Sequence, residues 1–151
     1  MAKKAHDRLR AEMLMDRLLR AEKLADFFRQ NEDDFESETF SARLKRHCLE
    51  KNTVAERVII RAQIDRTYGH QLFNGTRNPS RDKALQLAFG LQLSVEETQS
   101  LLCAASKNPL DPRSRRDAVI LFALKEHWGM MDVQEALDQY HLPLLGEDGG
   151  R

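Results

Sequence analysis

The sequence is poor in the residues that most small catalytic or metal-bound folds rely on. Of 151 residues only two are cysteine, Cys48 and Cys103, without CxxC spacing and each set among apolar residues of helical period. Both are expected to be buried, reduced thiols, as suits a reducing cytosol. No apolar run approaches the roughly 18 residues that a membrane helix needs. The opening stretch MAKKAHDRLRAEM has bases but no apolar segment or small-residue cleavage site after them, so no secretory signal is expected. The five histidines (6, 47, 70, 127 and 141) are scattered, and HExxH is missing. So are the phosphate-cradling GxxxxGK loop and the GxSxG elbow. Neither a metal, a cofactor nor a catalytic centre is expected. No segment alternates with period two, which argues against a sheet.

What is present describes an ordinary globular chain, with 41% hydrophobic and 32% charged residues. The net charge is zero but unevenly spread. Residues 1–31 carry +3, 32–40 carry −5, 41–83 carry +6 and 84–151 carry −4. A basic middle block between acidic flanks is the pattern of a nucleic-acid face rather than of uniform solvation.

Helical periodicity dominates, so the fold class is all-α. Over 5–30, Ala11, Leu14, Leu18, Ala21, Ala25 and Phe28 line one face, which predicts a single amphipathic helix within an N-terminal segment 1–31. An acidic linker, 32–39, follows. Thr39 or Ser41 opens the next helix, running to about Lys51. Thr53, with Glu56 as capping-box partner, opens another over 54–61. Asp65 caps a helix ending at Asn74-Gly75, and Pro79-Ser80 opens one over 81–90. Ser94 with Glu97 caps 95–106. These helices make up a domain at 40–106. Two further helices, 114–128 and 132–140, form a C-terminal hairpin within 107–151. An internal echo joins the two halves: Arg81-Asp82 recurs as Arg116-Asp117 at an offset of 35, and Ser94-Val95-Glu96-Glu97 as Asp132-Val133-Gln134-Glu135 at 38. The reading is a helix pair used twice, with three extra residues near Glu126-His127-Trp128.

The informative stretch is Thr53 to Ser80, TVAERVIIRAQIDRTYGHQLFNGTRNPS. Two short helices meet at a tight turn, and the second begins with polar residues. A helix read by DNA enters the major groove with its N-terminal end, so its early exposed positions must offer hydrogen-bonding groups while its far side is apolar. Arg66, Thr67, His70 and Gln71 supply the first requirement; Leu72 and Phe73 supply the second.

The stretch resembles the lambda-repressor/Cro-like (XRE-type) helix-turn-helix family over about residues 40–95. Gln71-Leu72-Phe73-Asn74-Gly75 is similar to the end of that family's recognition helix. Gly75-x-Arg77-x-Pro79-Ser80, then Leu85, Leu87, Ala88, Leu91 and Val95, is similar to its run into the last helices. The resemblance implies a helix-turn-helix bundle, here with an N-terminal amphipathic helix and an extra C-terminal hairpin. It implies base reading by Arg66, Thr67, His70 and Gln71, and backbone contacts from Arg57, Arg61, Tyr68, Arg77, Asn78, Ser80, Arg81 and Lys83. Two positions depart from the pattern. Gln63 stands where the turn usually has glycine, which demands positive φ of a non-glycine or a different turn. Gly69 stands where the recognition helix usually has Val or Ile, and Ile59 stands where the first helix usually has a small residue. A size swap between these two is expected.

The expected function is that of a cytoplasmic, nucleoid-associated regulator of transcription, a dimeric repressor that binds double-stranded DNA and needs no cofactor. It is not expected to be an enzyme or to bind membranes. Residues 5–30 or 114–142 would hold the homodimer or a protein partner. The alternative is a protein-interaction module on the same scaffold, an antitoxin-like or phage/host regulatory factor.

Overall fold

A computed structural model describes residues 2–32, 35 and 38–146. Among them are nine helices and no strand, as periodicity requires. None of these helices is long and apolar enough to cross a membrane. The chain divides into two compact units, Met1–Ser37 and Glu38–Arg151. Of the acidic stretch 32–39, residues 33, 34, 36 and 37 lie outside the described residues.

The first unit holds α1 (Ala2–Arg20) and α2 (Leu24–Gln30) rather than one helix. Neither proline nor glycine occupies the break. Lys23 takes an extended conformation there (φ −130°), and the redirected chain buries Phe27 against Phe28 and Phe35, with ring centroids 6.0 and 5.8 Å away. The Arg17 guanidinium donates to Asn31 Oδ1 (3.0 Å), and Asn31 Nδ2 donates to the Phe27 carbonyl (2.8 Å). Burial of Phe27 and this clamp outweigh the few tenths of a kcal/mol per residue by which propensity favours one straight helix. Most of the α1 stripe stays in solvent, with Leu19 77% exposed.

The second unit runs α3 (Phe40–Glu50), α4 (Ala55–Arg61), α5 (Arg66–Asn74), α6 (Arg81–Gly90), α7 (Val95–Ala104), α8 (Arg115–Lys125) and α9 (Met130–Gln139). Thr39, Asp65, Ser80, Ser94 and Ser114 each accept the backbone N–H three residues on, satisfying donors the helix leaves unpaired. Thr53 does not. Val54 takes the cap position without a side-chain bond, and the Thr53 hydroxyl is buried without a hydrogen-bond partner among the described residues. Helix α6 is the spine: every residue from Ala84 to Gly90 is buried, and α4, α7 and α9 pack against it. Gly90 is required here, since a Cβ would lie 2.6 Å from the Val58 carbonyl oxygen. Cys48 is buried as expected. Cys103 is exposed, because it falls on the α7 face opposite Leu101 and Leu102.

The helix pair is indeed repeated, and the structure corrects its register to 35 residues throughout. Gly129 holds the place of Ser94 and Asp132 that of Glu97: the Asp132 carboxylate accepts the Gly129 N–H (3.2 Å) as the Glu97 carboxylate accepts the Ser94 N–H (2.9 Å). No extra residues intervene. The left-handed helix ends match too, Gln92 with His127 and Ser106 with His141. Gln99 clasps the backbone of Leu110 through both amide atoms, and Gln134 clasps Leu145 in the same way.

The two copies are locked by crossed ion pairs. Arg81 reaches Asp117 (2.8 and 3.1 Å) while Arg116 reaches Asp82 (2.9 and 3.0 Å). Each guanidinium also donates to two carbonyls, Asn108 and Pro109 for Arg81, Pro143 and Leu144 for Arg116. Each carboxylate takes one further N–H, from Asp111 and Gly146 respectively. Bidentate, hydrogen-bonded geometry of this kind offsets the desolvation that burial imposes.

Burial pushes the Asp82 carboxyl up, but the Arg116 hydrogen bonds and the Gly146 N–H outweigh it and hold it below its ordinary value of 3.8. The stabilisation is therefore complete above pH 3.8 and is lost as pH falls below that value. Asp82→Asn removes the charge and should cost about 3 kcal/mol in urea unfolding at neutral pH. The variant's unfolding midpoint should also lose part of the parent's decline in acid.

Candidate nucleic-acid interface

The basic block folds around α4, a turn and α5. The turn begins as α4 ends: the Gln63 N–H donates to the Ile60 carbonyl (3.1 Å) and the Ile64 N–H to that of Ile59 (3.2 Å). This is a Schellman closure, whose C′ residue must be left-handed. Gln63 takes that conformation, φ 58°, without being glycine. Ala62 and Ile64 are buried, and Gln86 Nε2 of α6 donates to the Ala62 carbonyl (3.0 Å), tying the turn to the spine. Five other helix ends in the chain use a non-glycine in the same way (Asn52, Gln92, Ser106, His127, His141), so the turn follows this protein's own habit.

Helix α5 then starts on Asp65, whose carboxylate accepts the Tyr68 N–H (3.1 Å), and stops at Gly75, φ 82°. Its inner face is Gly69, Leu72 and Phe73, all buried. The size swap is real. A Cβ on residue 69 would fall 2.6, 2.7 and 2.9 Å from three carbons of Ile59, whose own side chain is buried. The isoleucine fills the space that Val or Ile on α5 would otherwise take, so α5 lies close against α4 with its polar edge turned outward.

That edge carries the four predicted base readers. Arg66 and Thr67 are exposed, with the Arg66 side chain 77% accessible; His70 and Gln71 are partly covered. Sequence reasoning missed Glu56. Rather than closing a capping box it reaches from α4 to α5, where its two oxygens take Arg66 Nε (2.9 Å) and His70 Nε2 (2.7 Å). The hydrogen bond from His70, aided by Arg66, holds the Glu56 carboxyl below the usual carboxylate range. Among the described residues only Nε of Arg66 is held. The two Nη groups have no hydrogen-bond partner among the described residues, and these are the donors that a bidentate contact uses. An acid on the first helix ten residues before the arginine was the available signal.

The other predicted contacts separate into two groups. Arg57 and Arg61 on α4 are exposed, as are Arg77 and Asn78 beyond α5, and none of the three arginines forms an ion pair among the described residues. Arg77 lies over the Tyr68 ring, 5.6 Å from its centroid. Lys83 is partly buried beside Gln86 Oε1 (3.2 Å). Ser80 and Arg81 are engaged within the protein: the Ser80 hydroxyl caps α6, and the Arg81 guanidinium is spent on Asp117 and two carbonyls. A phosphate clamp built on Arg81 would have to break the lock between the repeats.

Gly69→Ala should destabilise the parent by about 2 kcal/mol through overpacking, despite its better helix propensity. In an Ile59→Ala background the sign should reverse, with Gly69→Val restoring stability lost to the cavity. Chemical denaturation of the four-member cycle reads the coupling directly.

No family model matches the chain, and no curated protein or solved structure matches it either.

Proposed function

We propose that this protein is a sequence-specific, double-stranded-DNA-binding regulator of transcription with a lambda-repressor-like helix-turn-helix core. Helix α5 lies in the major groove. The observation that carries the reading is the outward edge of α5: Arg66 and Thr67 open to solvent, with Arg66 gripped by Glu56 through Nε and by no other atom among the described residues. A guanidinium fixed at Nε presents Nη1 and Nη2 as a pre-ordered fork for guanine O6 and N7. Thr67 and Gln71 flank it with groups suited to a thymine methyl and to adenine. Arg57 and Arg61, one helical turn apart on α4, and Arg77 frame the edge and meet phosphates on either side. Ser80 and Arg81 stay with the protein.

The companion part of the reading is a homodimer, as repressors of this architecture set two recognition helices about 34 Å apart on successive half-sites. The exposed apolar residues of α1, Leu9, Met13, Leu18 and Leu19, favour the 5–30 segment as its seam.

Fluorescence anisotropy against a library of genomic fragments tests the assignment. Parent protein should select one partly symmetric site at physiological salt. Arg66→Ala should lose about 1–3 kcal/mol and relax preference at a single base pair. Arg57→Ala and Arg61→Ala should weaken all sequences alike and each reduce the salt slope by about one. Binding that depends on salt alone, with no change of preference on Arg66→Ala, would leave only a helical scaffold for protein contacts.

A further inference from the structure

A second cluster of chemically capable side chains lies away from the α5 edge, where α3 meets the start of α7. His47 is buried, its side chain 4% exposed, and neither ring nitrogen has a hydrogen-bond partner among the described residues. Leaving both nitrogens of a buried imidazole unpaired is costly, and a native structure seldom does so without a purpose. Nδ1 faces two carboxylate oxygens, Glu50 Oε2 at 3.4 Å and Glu97 Oε2 at 3.7 Å. All three atoms lie within 4.8 Å of one another.

The outer oxygens of the same carboxylates are held elsewhere. Glu50 Oε1 accepts from Arg46 (2.9 Å), while Glu97 Oε1 accepts from the Ser94 N–H (2.9 Å) and from Lys51 (3.2 Å). Both glutamates are thus oriented by outer partners with their inner oxygens turned toward the imidazole, which is how ligating carboxylates are arranged around a metal. Burial makes the ring harder to protonate, despite Glu97 nearby.

We propose that His47 Nδ1, Glu50 Oε2 and Glu97 Oε2 form a three-ligand site for a divalent ion of the Zn²⁺ type, which fastens α3 to α7. Ligand bonds of about 2.0–2.2 Å set tetrahedral edges of about 3.3–3.6 Å. The 3.4 Å separation falls within that range, the 3.7 Å one lies just beyond it, and the two carboxylate oxygens are within 4.8 Å of each other, so small side-chain adjustments close the site. One imidazole and two carboxylates suit Zn²⁺ or Co²⁺ better than the softer ions that seek thiolates, and the two charges neutralise the ion. The Glu50 side chain is half exposed, so solvent water is at hand to complete the coordination. This inference stands apart from the DNA-binding reading, since it uses none of the α5 residues.

The full chain, titrated with Zn²⁺ by calorimetry and with Co²⁺ by visible absorption, tests it. One ion per chain should bind, with the intense Co²⁺ bands of four-coordination and a raised Tm. Glu50→Gln keeps the hydrogen-bonding shape of a half-exposed side chain and should fold like the parent; it should weaken binding about 10-fold or more and abolish the rise in Tm. His47→Gln should remove the Co²⁺ bands. No saturable uptake by the parent, or equal affinity in Glu50→Gln, would overturn the site; the latter would assign the ion to the exposed His127 or His141 or to His70.

Discussion

The contact between Ile59 and Gly69 is the constraint on which the proposed DNA-reading edge depends. Two helices joined by four residues can cross at many angles, and what fixes the angle is the bulk between them. At the Ile59–Gly69 contact all of that bulk comes from one side. Because residue 69 contributes no side chain, α5 rests on the isoleucine along its backbone. Packing at interior density leaves no slack for an extra methyl group. The helix that carries the exposed Arg66 and Thr67 is therefore seated by the core beneath it.

Glu56 adds electrostatic order to that steric order. A free arginine on a helix end samples many rotamers and gives up that freedom when it binds. The ion pair to Glu56 is exposed, so its contribution to folding stability is small. Its consequence is in geometry: Arg66 is fixed through Nε, and His70 is drawn to the same carboxylate. One acidic residue in a basic block thus organises two of the four groups expected to read bases.

Much of the fold was legible in the sequence because its signals are local. A serine, threonine or aspartate followed by an N–H three residues on is a short-range device, and Thr39, Asp65, Ser80 and Ser94 all behave as their positions predict. The Ile59–Gly69 swap was legible for a different reason, since each residue is wrong in size for its place and the two errors cancel. What escaped detection depends on distant partners. The break between α1 and α2 comes from Phe27 finding Phe28 and Phe35, with no breaker residue to announce it. The repeat was misregistered because Asp132 resembles a cap, whereas a glycine holds the cap and the aspartate stands three residues inside. Arg81 read as a phosphate ligand because its partner, Asp117, is 36 residues away. The His47 cluster was invisible for the same reason, with Glu97 supplied from another helix.

The crossed pairs between the repeated halves settle how many copies can be joined. In an open solenoid each unit offers its successor the same face that it received from its predecessor, so growth has no natural end. Reciprocal contacts behave differently, as in an isologous dimer, where each partner's donor is consumed by the other's acceptor. With Arg81 committed to Asp117 and Arg116 to Asp82, a third helical hairpin would find neither a free guanidinium nor a free carboxylate to greet it. The duplication is self-limiting: two halves saturate one another, and the chain carries a miniature dimer inside a single polypeptide.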